Sequence, residues 1–368
     1  MDGKVTFVAP DGDQFRKVLF QRVDAYFEEN NLSKHANAFM ILKTIVFFTT
    51  FYGSWALIMF AQPPVAIMWL LWAVTGFSVA MIGFNVAHDA SHGGFTGNKR
   101  LNRLLAHSFS LVGVHAYNWN ITHNIIHHTY TNIPYADGDL HPAPFLRFFD
   151  IQENKKWYHR YQHIYAPFLY SLVSLVWVFA KDYQHISRPV HVRYKKPKVP
   201  VAEYFILAGV KLLHYGMFLV FPIVWLPNPW WHIVVGFLIM HLVAGFILAI
   251  VFAVAHTVED VEVIEADADG KVHDSWAGVQ LRTSANFSMG SRFFDWTVGG
   301  LNYQIEHHLF PKICHVHYKR IAPIVEETAK EFGYPYHVFG TFSEGVKAHF
   351  RYLRHYGAVE MANEPITA

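Results

Sequence analysis

Three short stretches concentrate imidazoles at spacings that suit a metal ion. "HDASH" (88–92) places His88 and His92 at i, i+4; "HNIIHH" (123–128) supplies His123, His127 and His128; "QIEHH" (304–308) supplies Gln304, His307 and His308 at i, i+3, i+4. On a helix these spacings put side chains on one face, within reach of a common ion. His256, in "AVAH", adds a lone imidazole at the end of an apolar run. Buried histidines are often merely hydrogen-bonded, and His107, His115, His214 and His241, which lack a partner motif, are read that way. Chance placement does not account for HxxxH, HxxxHH and QxxHH together. Seven clustered histidines with His256 and Gln304 exceed the four ligands of a structural zinc site and suffice for two ions. HExxH is absent, whereas a two-His, one-carboxylate triad assembled from distant residues stays open. Nitrogen-rich ligation suits iron, copper or zinc, and the first two bring oxygen chemistry.

The elements that must position these groups are membrane elements. The chain has 368 residues, 52% hydrophobic and only 16% charged, where a soluble domain carries about 25% charge. Its 25 histidines nearly match its 28 acidic residues, which favours metal chemistry, and a net charge of +2 is too mild for a nucleic-acid partner. The single cysteine, Cys314, excludes an intramolecular disulfide and a cysteine-ligated cluster within the chain. The first forty residues are polar and lack a signal-peptide core, so the N-terminus is expected in the cytoplasm. Internal repeats and low-complexity tracts are absent.

Four stretches are long and apolar enough to span a bilayer: 41–61, 65–87, 204–226 and 232–255. They form two hairpins, joined by "QPP" (62–64) and "LPNPWW" (226–231). The runs 104–117 and 167–180 reach only 14 residues, which suits buried or interfacial helices. Lysine and arginine avoid the hairpin turns and crowd the loop between the hairpins and the tail, so both termini and the histidine clusters are expected on the cytoplasmic side. If the clusters share one site, an even number of crossings separates them, and parity demotes the same two short runs. The expected fold is all-α and integral to the membrane: four transmembrane helices in two hairpins, interfacial helices, and a helical cytoplasmic cap carrying a di-metal site. One membrane domain over 1–368 divides into an N-terminal segment (1–40), first hairpin (41–87), cytoplasmic loop (88–203), second hairpin (204–256) and C-terminal region (257–368).

"HDASH", "HNIIHHTYTN" and "GGLNYQIEHHLFP" (299–311) closely resemble the three histidine boxes of the integral-membrane fatty acid desaturases, and the resemblance runs from about residue 35 to 350. It implies a di-iron centre on the cytoplasmic side, held almost wholly by histidine. It also implies a reaction using O2 and two electrons to remove two hydrogens from adjacent methylenes of a fatty acyl chain. Matched residue by residue, the implied ligands are His88, His92, His123, His127, His128, His307 and His308. His256 matches an additional histidine that some members place at the end of the fourth span. Gln304 replaces the first histidine of the third box, as in front-end desaturases and some bacterial acyl-CoA desaturases. An unactivated C–H bond is beyond ordinary acid–base catalysis, so the metal must do the hard step while the protein orients the chain, and no catalytic residue is expected beyond the ligands. Asp89, Asp137, Asp139, Asn286 and Glu306 are candidate acceptors that fix imidazole tautomers.

Hydroxylases, ketolases and sphingolipid-base desaturases use similar boxes and differ in product. A metal transporter would place ligands near the bilayer midplane, whereas these clusters lie at or beyond the ends of the spans. A lipid-binding protein without activity leaves the ligand constellation unexplained. A fused cytochrome b5 domain would show HPGG; the nearest string is "HPAP" (141–144), so electrons are expected from a separate ferredoxin- or cytochrome b5-type carrier and its reductase. The basic run "RYKKPK" (193–198) suits a CoA phosphate or anionic headgroups of membrane lipids.

Overall fold

The structure, a computed structural model, describes residues 5–10, 12–140, 144–149 and 155–358. Most of "HPAP" and the outermost residues of both terminal segments lie outside this range. Among the described residues, five helices are long and apolar enough to cross a membrane. Helices α2 (Ala38–Ala61) and α3 (Val65–His92) form the first hairpin, and α7 (Val201–Trp225) and α8 (Trp230–His256) the second. The fifth, α6 (Trp157–Ser187), corrects an expectation from sequence. Its 14-residue apolar run is only the middle of a 31-residue helix, because polar and aromatic residues at both ends continue the helix beyond the point where hydropathy drops. The run 104–117, in contrast, is no single helix. It divides between α4 (Lys99–Ala106) and a tight 3₁₀ turn over His107–Val112, and stops at Gly113, where φ is +77°.

Proline starts α3 and α8: Pro64 and Pro229 precede their first turns, where a missing N–H costs nothing. Asn37 caps α2, its side chain accepting from the Met40 amide at 3.0 Å. The hairpins are pressed together through small residues. A Cβ on Gly76 would lie 2.2 Å from the Met240 carbonyl, and one on Gly236 would strike the Trp72 ring. Such close backbone approach is how helices associate where lipid removes the hydrophobic drive.

Above the bundle sits a layer of shorter helices. In α1 (Gln14–Glu29), Phe15, Leu19, Val23 and Phe27 recur every fourth residue. This stripe packs on Ile321, Val325 and Ala329 of α11 (Tyr318–Glu331). The cap also includes α9 (Trp276–Arg282), α10 (Gln304–Leu309), α12 (Phe342–Ala358) and a short helical turn over Arg292–Thr297. A short parallel pair, Ala285–Phe287 with His337–Phe339, ties the layer together.

Candidate metal centre

Four elements deliver the histidines. The last turns of α3 open into a π-turn over Gly83–Ala87 before His88 and His92. The second box lies on α5 (residues 116–130), whose middle, Asn120–His127, is again wound as a π-helix. The His123 and His127 rings stack there with centroids 5.2 Å apart and planes 24° apart. The third box is the short α10, and His256 ends α8.

The third box meets the first through Gly299. This residue adopts φ +60°, and a Cβ there would lie 2.2 Å from the Phe84 carbonyl oxygen. Only glycine combines that backbone with that approach. Asn286 anchors α10 from the other side, accepting from the Ile305 amide at 3.0 Å and donating to Glu306 at 2.9 Å. Tyr336 donates its hydroxyl to the same carboxylate at 2.7 Å.

All nine residues singled out as ligands converge. His88, His92, His123 and His307 form one group whose ligand atoms lie within 4.8 Å of one another; His127, His256 and His308 form a second; His128 joins His307 and His308 between them. Gln304 stands beside the second group, its amide nitrogen 2.7 Å from His256 Nε2. His92, unlike the others, is only partly buried.

The hydrogen bonds decide which nitrogen each ring offers. His127 Nδ1 donates to Asp137 at 2.9 Å, His256 Nδ1 to the Thr283 carbonyl at 3.1 Å, and His308 Nδ1 to Gln280 Oε1 at 2.8 Å. Each Nε2 is thereby left with a lone pair aimed inward. The Nε2 atoms of His256 and His308 face each other at 3.2 Å, an arrangement of lone pairs that a cation beside them would stabilise. A proton is a poor candidate, since burial and then the neighbouring imidazoles hold His308 well below the ordinary histidine range. The same causes depress His128 and His307. Burial also works against a cation at His127, but Asp137 and Asp139 outweigh it and raise its pKa. The Nε2 atoms of His92, His127, His128 and His307 and the Oε1 of Gln304 are buried without a hydrogen-bond partner in the structure. A metal ion fits this donor set.

The candidate tautomer-fixing acceptors separate into two kinds. Asp137 holds His127, and Asp139 lies 3.5 Å from His123 Nδ1, long for a hydrogen bond. Asp89, Asn286 and Glu306 bond elsewhere. Asp89 accepts from His315, at 2.7 Å from the ring and 3.1 Å from the backbone amide. His315 Nε2 in turn stands 2.8 Å from the ammonium of Lys43, which is fully buried in α2. This link between first hairpin, first box and the segment after the third box was missed from sequence, as were Gln280, Thr283 and Tyr318 beside the ligands. "HVH" (315–317) follows the third box closely enough to have been a signal for His315; the other three carried none.

A cavity of about 1200 Å³ opens onto this centre, lined by His88, His123 and Gln304 and by apolar side chains of α6 and α8. Residues 63–340 match the family model for fatty acid desaturases. The chain belongs to the fatty acid desaturase family.

The desaturase is 34% identical over 344 residues to the sn-1 linoleoyl-lipid 6-desaturase of Synechocystis, covering 93% of this chain and 95% of that one. It is 36% identical to the sn-1 linoleoyl-lipid 6-desaturase of Arthrospira platensis, over 95% and 94% of the two chains. Similarity to the acyl-lipid (8-3)-desaturase of Physcomitrium patens is 35%, over 95% of this chain and 73% of the relative. The protein is thus a multi-pass membrane oxidoreductase acting on fatty acyl substrates, and the family implies a metal centre.

Proposed function

We propose that the desaturase holds two iron ions and introduces a double bond near the carboxyl end of a lipid-linked acyl chain, consuming O2 and two electrons. The observation that carries this is the pair of adjacent histidine groups, His88–His92–His123–His307 and His127–His256–His308, with His128 between them. When bound, the metal pair supplies the oxygen chemistry that breaks unactivated C–H bonds. The protein's share is orientation. Asp137 and Thr283 fix imidazole tautomers, Trp119 packs 4.5 Å from His123 on the cavity wall, and the apolar lining excludes water from the reacting methylenes. Per turnover, two C–H hydrogens, two electrons and two protons convert O2 to two waters and leave one C=C bond. Regiochemistry near the carboxyl end is supported by Gln304 in the third box and by the cyanobacterial relatives being 6-desaturases.

Convergence of the clusters supports a common side of the membrane for them, and the lysine- and arginine-rich 88–203 loop and tail favour the cytoplasm for that side. On that reading an even number of crossings separates His128 from His256, and α6 lies within one leaflet rather than spanning. Both parts of α6 support this: Tyr170 bonds His349 of the cap at 2.6 Å, and Lys181 pairs with Asp139 beside His123 at 3.5 Å. Electrons come from a separate small carrier.

Expression in a desaturase-lacking host, with mass-spectrometric location of new double bonds, tests the reading. The expected product carries one new double bond on the carboxyl side of any existing one. A hydroxylated product, or none with carrier and reductase supplied, overturns it.

A further inference from the structure

A lysine and an aspartate are buried together where α6 and α7 meet, outside the histidine groups. Lys211 lies about 15 Å along α7 from its start; its side chain is buried, while the neighbouring Leu212 and Leu213 are exposed. Its ammonium has three hydrogens and donates to three acceptors: Asp182 Oδ2 at 2.8 Å, the Gly113 carbonyl at 2.6 Å and the Trp177 carbonyl at 3.2 Å. Asp182, fully buried on α6, also accepts from the His115 amide at 3.0 Å and from Asn118 Nδ2 at 3.1 Å. Asn118 Nδ2 donates to the Asp182 carbonyl as well, at 2.9 Å. His115 caps α5 and Asn118 lies in its first turn, so the carboxylate stands at the N-terminal end of the second-box helix, where negative charge is favoured.

Apolar residues of similar volume hold buried helices together as well as an ion pair does, so an ionisable pair inside a membrane bundle points to a further role. Association of α6 does not depend on this one. A Cβ on Gly245 of α8 would lie 2.5 Å from the Ser171 carbonyl oxygen, and Ser174 donates to the His241 carbonyl at 2.7 Å. The second box, in contrast, holds its ligands unequally. His127 donates to Asp137 at 2.9 Å, whereas the carboxylate beside His123 Nδ1, Asp139, stands at 3.5 Å. His123 is placed by its backbone and by Trp119, whose ring lies 4.5 Å from it and 5.3 Å from Trp177. The ion pair grips both sides of that stack, through Asn118 next to Trp119 and through the Trp177 carbonyl.

We infer that Asp182 and Lys211 are positioning residues for His123, serving its ion as Asp137 serves the ion beside His127; this rests on the two-iron reading above. The test uses full-length protein in lipid discs, freed of metal and titrated anaerobically with iron(II) against a chelator of known strength. Asp182→Leu/Lys211→Met removes both charges together. Asp182→Asn/Lys211→Met is equally neutral but keeps an oxygen at the end of α5, and Asn118→Ala leaves the ion pair intact.

In the Leu/Met variant one ion is expected to weaken about 10–100-fold and the other to bind as in wild type. The thermal transition of its metal-free form should match wild type. The Asn/Met variant recovers part of the loss, and Asn118→Ala weakens the same single ion to a smaller degree. Adding Asp137→Asn to the Leu/Met variant weakens the second ion too, which assigns each carboxylate to its own ion. Wild-type affinity for both ions in the Leu/Met variant, or equal weakening of the two, overturns the proposal. If that variant fails to insert, Asn118→Ala decides, and its binding both ions as wild type does overturns the proposal. A wild type that binds two ions but forms no double bond loses the desaturase reading and leaves the positioning role standing.

Discussion

His256 and His308, 52 residues apart in sequence, point Nε2 atoms at each other across 3.2 Å while both rings donate from Nδ1. With both Nδ1 protons engaged elsewhere, the Nε2 atoms are free to face a common ion, which supports the proposal that His256 belongs to the centre although it lies in no box. His256→Ala is expected to lower bound metal and abolish desaturation while leaving expression and membrane insertion intact. Metal content and product yield both near wild type would return His256 to an ordinary helix-end histidine.

Asp137 accepts a hydrogen bond from His127 Nδ1 and also accepts the Asn132 and Asp139 amides at 3.1 and 3.0 Å. Asp137→Asn preserves its shape and removes its charge, so the loop should persist while His127 loses basicity. Metal affinity is expected to fall about 10–100-fold, read by competition with a chelator of known strength. An unchanged affinity would mean that the carboxylate serves the loop alone.

Gln304 touches His256 and presents a buried, unpartnered Oε1. Gln304→His should retain both metals and change turnover modestly, whereas Gln304→Ala should lower metal occupancy. If the alanine variant matches wild type in metal and rate, Gln304 neither binds nor orients.

Gly299→Ala tests how the third box is seated. An added Cβ would have to displace the Phe84 carbonyl from a backbone already at φ +60°. A loss of about 1–3 kcal/mol is expected, seen as a lower thermal transition of the metal-loaded enzyme together with reduced occupancy. A wild-type transition would show that the loop and α3 yield at no cost.

Much of the centre was legible because imidazole spacing on a helix is a local property. His88 and His92 needed only the turn of α3, and His307 and His308 only that of α10. Membrane parity then brought them together without knowledge of any contact. Three things lay beyond such reasoning. The π-winding of 120–127 is a departure from the 3.6-residue period that spacing rules assume. The length of α6 was hidden because hydropathy marks where a helix is greasy and not where its hydrogen bonds end; "WYHRY" and "KDYQHIS" extend it in both directions. The Asp89–His315–Lys43 connection joins residues 226 and 272 positions apart, and no local pattern encodes such a pairing.

The cavity also has a wall of unusual exposure. Phe145 and Val176 line it and are 53% and 52% exposed, so its side opens onto the exposed apolar surface that includes α6. An acyl chain can therefore enter sideways without passing through water. The enzyme samples its substrate as a mole fraction in a two-dimensional fluid, and bystander lipids compete with each productive molecule for the same doorway. Rates measured in detergent will follow surface dilution, falling as micelles are added at constant substrate, and membrane composition acts on this desaturase as a concentration variable in its own right.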